Sequence, residues 1–298
     1  MISGAEFWLW YNQAKKLALS ANIPPEELNW LIQEVTNIDK LSLRLESFKE
    51  QSQITLKIPL DILNQKWQER INNKLPVQYI AEVTYWRNFS LKVTPSVLIP
   101  RPETEIIIDI IIDKTKNLSL GRDQQQNWAD LGTGSGAIAL GLAQILPNST
   151  IHAIDISEKA LNIAQENAQK TVFSEQIKFY HGSWWQPIAH LRGKITGMIS
   201  NPPYIPSGII PELQPEVRIH EPLIALDGGK DGLEEIRYLI ETAPDYVIPG
   251  GIWLIEIMKG QADKVVQLLK DGDKYTQIEI IPDLEGIQRF VYAQLKHL

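Results

Sequence analysis

Seven consecutive residues constrain this chain more than any others: Asp130-Leu131-Gly132-Thr133-Gly134-Ser135-Gly136. Their first two residues end a short strand, Trp128 to Leu131, and the glycines lead into a longer apolar run, Ala137 to Leu146, that suits a buried helix. A strand that turns through alternating glycines directly into a helix opens a βαβ unit. The same alternation continues downstream. Ile151 to Ile156, Ile177 to His181, Ile195 to Ser200 and Gly251 to Ile257 read as strands. Ser157 to Lys170 (with Ser157 as N-cap), Asp231 to Ala243 and Gln261 to Lys270 read as helices. Glu103 to Lys116 is a further helix, with acidic residues in its first turn to suit the dipole. Ile278 to Ile281 and Arg289 to Gln294 close the pattern as a terminal hairpin. Such alternation predicts an α/β fold with a mostly parallel sheet covered on both faces.

The residues before this pattern differ. Residues 1–75 read as a small helical bundle. Ser3 and Glu6 have capping-box spacing, Pro24-Pro25-Glu26-Glu27 and Asp39 mark further helix starts, and Pro59 or Asp61 opens a fourth helix. Trp8, Trp10, Trp30 and Trp67 are expected in the core of this bundle. Residues 76–97 form a linker in which Val83 to Trp86 and Phe89 to Val93 alternate around Arg87-Asn88, the pattern of a β-hairpin. Residues 98–298 carry the α/β domain. The 298-residue chain has no cysteine, which excludes disulfides, thiolate metal sites and cysteine nucleophiles. Its five histidines, His152, His181, His190, His220 and His297, lack metal-ligand spacing, and no metal is expected. No apolar run approaches the roughly 18 residues that span a bilayer, and the N-terminus lacks the basic and apolar regions of a secretion signal. A cytoplasmic, monomeric protein without membrane contact is expected. The net charge of −7 opposes stable nucleic-acid binding, which usually leaves a basic footprint.

In a doubly wound sheet the glycine turn borders the ligand crevice. Asp155 ends the next strand, where a carboxylate can accept from both hydroxyls of a ribose. Two ligands fit this pattern. Gly132, Gly134 and Ala137 satisfy the dinucleotide fingerprint G-x-G-x-x-A, with Asp155 as its ribose acid. Asp130, immediately before the glycines, instead favours a ligand with an ammonium group over one with a pyrophosphate. A zwitterion that also carries a ribose describes S-adenosylmethionine. Asp130, Gly132, Thr133, Gly134, Ser135, Gly136 and Asp155 are the candidate cofactor residues, and Trp184 is placed to pack near an adenine or simply to fill the rim.

The third informative segment is Asn201-Pro202-Pro203-Tyr204, which follows the strand ending at Ser200. Proline fixes φ and removes backbone donors, so the corner offers acceptors without competing N–H groups. The Asn201 side-chain oxygen and the Pro202 carbonyl could accept both hydrogens of a planar NH2 group, with Tyr204 packed against it. Asn201, Pro202 and Tyr204 are therefore the candidate catalytic residues. Asn201, Pro202, Pro203 and Tyr204 form the candidate substrate site, with Asn201 also near the cofactor. The corner suits a glutamine amide or an adenine amine equally.

Together these segments resemble the bacterial protein-(glutamine-N5) methyltransferases that modify peptide chain release factors. The resemblance is carried by Pro76-Val77-Gln78-Tyr79-Ile80, by Val97 to Glu105, by the glycine loop, by Asn201 to Ile205, and by Glu221 to Leu226 with Asp227-Gly228-Gly229 and Asp231-Gly232-Leu233. Residues 1–75 match only as a helical domain of suitable size. The resemblance implies a Rossmann-like class I S-adenosylmethionine-dependent methyltransferase sheet, a small N-terminal helical domain that grips the substrate protein, and a β-hairpin linker. It implies a release factor as partner, the glutamine of its Gly-Gly-Gln loop as substrate, and contacts to cofactor from Gly132 to Gly136, Asp155, Trp184 and Asn201. Where the family often has Asp-Trp, this chain has Ser183-Trp184, so no acidic role falls on Ser183. An adenine-N6 nucleic-acid methyltransferase uses the same corner, with the base flipped out of its stack. A nicotinamide-dependent oxidoreductase or a non-catalytic scaffold leaves the corner unexplained. The segments alone assign no role to Arg101, Glu103, Glu221 or Asp227.

Overall fold

The computed structural model describes residues 2–116 and 125–297. The chain divides into two compact units, Met1–Val83 with Gln214–His220, and Thr84–Leu213 with Glu221–Leu298.

The first unit begins with α1 (Gly4–Ser20), α2 (Pro25–Val35), α3 (Lys40–Leu45), α4 (Leu60–Asn73) and α5 (Val77–Ala81). Local chemistry sets the helix starts. Ser3 Oγ accepts from Glu6 N at 3.2 Å, Asp39 Oδ1 accepts from Leu41 N and Ser42 N at 2.9 Å each, and Pro25 occupies the first position of α2. Phe7 and Tyr11 of α1, Leu28, Leu31 and Ile32 of α2, Phe48, and Leu63 and Trp67 of α4 form its interior. Trp67 is fully buried and donates to Ala14 O, and Trp10 is nearly so, whereas Trp8 and Trp30 are only partly covered. Trp8 instead spends its indole N–H on Glu46.

The second unit holds a two-stranded hairpin, β1 (Val83–Trp86) and β2 (Phe89–Lys92), then α6 (Ile106–Lys116), β3 (Gln126–Leu131), α7 (Ala137–Ile145), β4 (Ser149–Asp155), α8 (Glu158–Gln169), β5 (Ile177–His181) and β6 (Ile195–Ser200). The chain then gives α9 (Pro215–His220) to the first unit. It returns for α10 (Glu234–Thr242), β7 (Val247–Glu256), α11 (Ala262–Asp271), β8 (Tyr275–Pro282) and β9 (Gln288–Leu295). Seven strands form one sheet in the order β5-β4-β3-β6-β7-β9-β8. The first five are parallel, and β9 runs antiparallel to both β7 and β8. Successive residues serve opposite faces, as pleating requires. Ile252 and Leu254 of β7 join Ile108, Leu140 and Phe290 on one face, while Trp253 and Ile255 join Ile236, Leu239 and Val265 on the other.

The chain runs outward through β3, β4 and β5, then crosses back to place β6 on the other side of β3. The strand order reverses between β3 and β6, and ligand crevices form at such a switch point. The register brings the critical ends level: Leu131 lies opposite Ile154 of β4 and Ser200 of β6.

The structure adds two details to the sequence reading and corrects one helix start. The compact units divide after Val83, and α5 packs its buried Val77, Tyr79 and Ile80 within the helical unit. The expected β-hairpin forms around Arg87-Asn88; Trp86, Phe89 and Leu91 are buried with the sheet core, and Trp86 Nε1 donates to Arg101 O at 3.2 Å. The helix read from Asp231 starts at Glu234, because Asp231 Oδ1 accepts from Leu233 N in a side-chain turn.

Candidate active site

Gly132, Gly134 and Gly136 have φ of +78°, +55° and +84°, in the left-handed region that other residues rarely adopt. Their turn is fastened to β4. Gly132 N and Thr133 N both donate to Ile154 O at 2.9 Å, and Gly134 N donates to Asp155 Oδ2 at 2.8 Å. The other Asp155 oxygen accepts from Ser157 N at 2.8 Å. Asp155 therefore joins the turn to the start of α8, and each oxygen keeps acceptor capacity for a ligand. Burial pushes its carboxyl above the usual range, opposed by these backbone donors.

A cavity of about 1430 Å³ opens here. Gly132, Thr133, Gly134, Ser135, Asp155, Trp184, Asn201 and Pro203 all line it. Small-ligand sites typically occupy about 300–1,000 Å³, so there is room for a cofactor and for part of a second molecule. Leu223 and Ile224 stand at its wall with more than half their surface exposed. Trp184 adopts a left-handed φ of +48° that lays its ring against Gly132, and its Nε1 donates to Glu235 Oε2 at 2.8 Å.

Four expected site residues do not line the wall. Asp130 is completely buried beneath the turn, where its Oδ2 accepts from Thr133 Oγ1 at 2.6 Å and its Oδ1 has no partner. Burial pushes its carboxyl up to about 7, against the pull of the Thr133 hydroxyl. Gly136 faces α8, where an added Cβ would lie 3.1 Å from Ala164 Cβ; it permits close helix packing. Pro202 is buried. Tyr204 is partly covered by the core face formed by α10 and α11, and its hydroxyl donates to Glu256 Oε1 at 3.0 Å.

The corner is built from distant parts of the chain. Ser200 Oγ donates to Leu131 O at 2.6 Å, tying the ends of β6 and β3 together. Asn201 Nδ2 donates to Thr104 Oγ1 at 3.5 Å, and Thr104 Oγ1 donates to Glu256 Oε2 at 2.7 Å. Glu256 ends β7 with no exposed surface, and burial pushes its carboxyl up to about 7. Beyond the corner, Ile205 N donates to Leu226 O and Gly228 N donates to Ile205 O. Gly228 is pressed so close that a Cβ would lie 2.7 Å from Pro203 O, and a Cβ on Gly232 would lie 2.3 Å from Tyr204 O. Gln261 Nε2 donates to Tyr204 O and Gly232 O. This backing explains the residues left without a role. Asp227 Oδ1 accepts from Ser207 Oγ and Gly229 N, and buried Glu221 pairs with Arg101 at 2.6 Å and accepts from Ile99 N. Thr104, Gln261 and Glu256 went unnoticed in the sequence because each lies far along the chain from the group it holds. Among the described residues, no group of three or more histidines or carboxylates is placed to hold a metal, and no helix is long and apolar enough to cross a membrane.

Comparisons with known proteins bear on the fold and the family. Residues 112–210 match the model of the methyltransferase small domain family. The hMettl16 catalytic domain in complex with MAT2A 3′UTR hairpin 1 superposes with a TM-score of 0.56 over 90% of this chain and 88% of that one, at 12% identity. Human methyltransferase 10 domain containing protein gives 0.50 over 81% and 99%, at 16% identity. These likenesses establish the fold, a class I methyltransferase sheet. Sequence relatives are much nearer. The release factor glutamine methyltransferase of Synechocystis is 50% identical over 98% of this chain and 97% of its own length. That of Thermosynechococcus vestitus is 43% identical over 98% and 99%. With its glycine turn, Asp155 and its asparagine-proline corner on one cavity, and with relatives this near over its whole length, the chain belongs to the release factor glutamine methyltransferases.

Proposed function

We propose that this enzyme transfers a methyl group from S-adenosylmethionine to the side-chain amide nitrogen, N5, of the glutamine in the Gly-Gly-Gln loop of peptide chain release factors. The observation that carries this reading is the placement of Asn201 and Pro203 on the same cavity wall as Gly132 to Ser135 and Asp155. The residues fit the cofactor. The glycine turn leaves its backbone open to close approach, Asp155 retains acceptor capacity toward ribose hydroxyls, and Asp130 holds an unpartnered buried oxygen under the turn that an ammonium-bearing ligand would favour. When bound, the cofactor supplies a methyl group on a cationic sulfur, already activated for transfer.

The chain's own task is to present a poor nucleophile. An amide nitrogen is weak because its lone pair is delocalised into the carbonyl. Asn201 Oδ1 accepts one N–H of the substrate amide. The Pro202 carbonyl, in the peptide group that joins it to the cavity-lining Pro203, accepts the other. Two acceptors favour positive charge on the nitrogen as its new bond forms, and they hold it in line. The proton released on transfer leaves through one of these hydrogen bonds to water. Leu223 and Ile224 offer apolar cover for the incoming loop.

Mass spectrometry of a release factor incubated with enzyme and cofactor tests the reading. The loop glutamine is expected to become heavier by one methylene. Label appearing in DNA and not in release factor would reject it. Asn201→Ala should lower kcat by about 10²–10³, the usual loss for a transition-state hydrogen bond, with little change in cofactor affinity.

A further inference from the structure

An asparagine amide has two ends of similar shape, and only Oδ1 can accept from a substrate N–H. The corner therefore needs something to decide which way the Asn201 amide is turned. Thr104 does so only if its own hydrogen is already committed, because a hydroxyl can offer either a hydrogen or a lone pair to its neighbour. Glu256 commits it. In its ionised form, which prevails above about 7, Glu256 has acceptors only, and it takes hydrogens from two hydroxyls, Thr104 at 2.7 Å and Tyr204 at 3.0 Å. Thr104 is then left with lone pairs toward Asn201 and receives Nδ2 at 3.5 Å. Oδ1 becomes the end turned away from Thr104. The two central groups are covered, Glu256 with no exposed surface and Thr104 4% exposed, and the Tyr204 ring is partly buried against the core. Water has little chance to exchange for any partner in this chain of bonds.

We infer that Glu256 is a positioning residue for methyl transfer, acting through Thr104 to fix which end of the Asn201 amide meets the substrate nitrogen. This rests on the role given to Asn201 above. Glu256 touches neither substrate nor cofactor. Its contribution is the polarity of a hydrogen-bond chain that runs from Tyr204 through Glu256 and Thr104 to Asn201. The segment Val97 to Glu105 thereby gains a purpose at Thr104, which the fold brings to β7 from 152 positions away.

The test uses the full-length enzyme with a release factor as substrate. Thr104→Val keeps shape and removes the hydroxyl; Thr104→Ser restores it. Thr104→Val should lower kcat by about tenfold or more, the common cost of losing an orienting partner, while KM for the release factor and cofactor affinity by calorimetry stay within about twofold. Thr104→Ser should recover most of the loss. Glu256→Gln should resemble Thr104→Val, because its NH2 group can donate to Thr104 and release the Thr104 hydrogen toward Asn201 Oδ1. In the Asn201→Ala background, Thr104→Val should cost nothing further, since the group it orients is gone. Wild-type kcat in Thr104→Val beside an inactive Asn201→Ala overturns the relay and leaves the corner's role standing. Additive losses in the double variant also overturn the relay. Near-wild-type turnover in Asn201→Ala overturns the reading of the corner itself.

Discussion

Asp130 and Asp155 end neighbouring strands, yet burial separates their work. Asp155 reaches the cavity and holds two backbone donors. Asp130 lies wholly under the turn, with one oxygen on Thr133 and one unpartnered. A buried carboxyl raised to about 7 binds a proton that the unfolded chain, near 4, has already released. Between those two values the folded state holds more protons, so stability falls as pH rises through the window. Below about 4 the penalty is absent, and above about 7 it is complete. Asp130→Asn keeps an acceptor for Thr133 and removes the charge. It should leave stability near pH 4 almost unchanged and raise it at pH 8 by roughly 2–4 kcal/mol, read from urea unfolding at both values. An equal gain at the two pH values would mean that the carboxyl is not the cause. The buried Glu256 carboxyl, also raised to about 7, acts in the same direction. The enzyme thus keeps two destabilising carboxylates, Asp130 under the glycine turn and Glu256 under the asparagine-proline corner, a cost that functional sites commonly carry.

At the scale of elements, the loop from Glu221 to Leu233 backs the corner. Gly228 leaves no space for a side chain, and the atoms it would meet are backbone atoms of Pro203 and Tyr204. Gly228→Ala should move the corner rather than unfold the protein. Turnover should drop at least tenfold while the thermal midpoint changes little; wild-type turnover would show that the contact does not set the geometry. The strands and helices of the second unit were legible because apolar period and glycine, proline and serine punctuation agree locally, as with β5, β6 and the Ser157 cap on α8. That the glycine turn and Asn201 line one cavity was legible for the same reason: each is a short segment that ends a strand. The burial of Asp130 and the partial burial of Tyr204 could not be read from the sequence, since burial depends on what packs above them. Glu256 had no local signal, as it reads simply as the polar end of an apolar strand. The membership of α9 was equally hidden. It joins the helical unit through Glu216, which pairs with Arg70 at 2.8 Å, and through His220, which bonds Asn73 O at 2.7 Å. Arg70 is 7% exposed and also grips Glu27 with two bonds. Glu216→Ala should cost about 1–2 kcal/mol, because one hydrogen-bonded charge pair is lost while Glu27 still neutralises Arg70.

For the whole molecule, the chain crosses between its two units at Val83, at Leu213 and again at His220, but every residue assigned to the cofactor lies in the second. A ligand that binds only the folded state stabilises it by mass action, by about 2.7 kcal/mol at a hundred times its Kd. That gain should appear where the ligand's contacts are. Hydrogen exchange with S-adenosylmethionine present should slow at the glycine turn, at the ends of β3 and β4, and around Trp184. The strongest protection is expected for Gly134 N, which Asp155 already holds. Helices α1 to α4 should exchange almost as before. Asp155→Ala should remove both the protection and the thermal shift, whereas Asn201→Ala should keep most of each, because its role lies with the amide and not with the ribose. Equal protection in α1 to α4 and in the glycine turn would place the cofactor elsewhere. Loss of the thermal shift in Asn201→Ala, to the same extent as in Asp155→Ala, would make Asn201 a cofactor residue first and would move the catalytic burden of the corner to the Pro202 carbonyl.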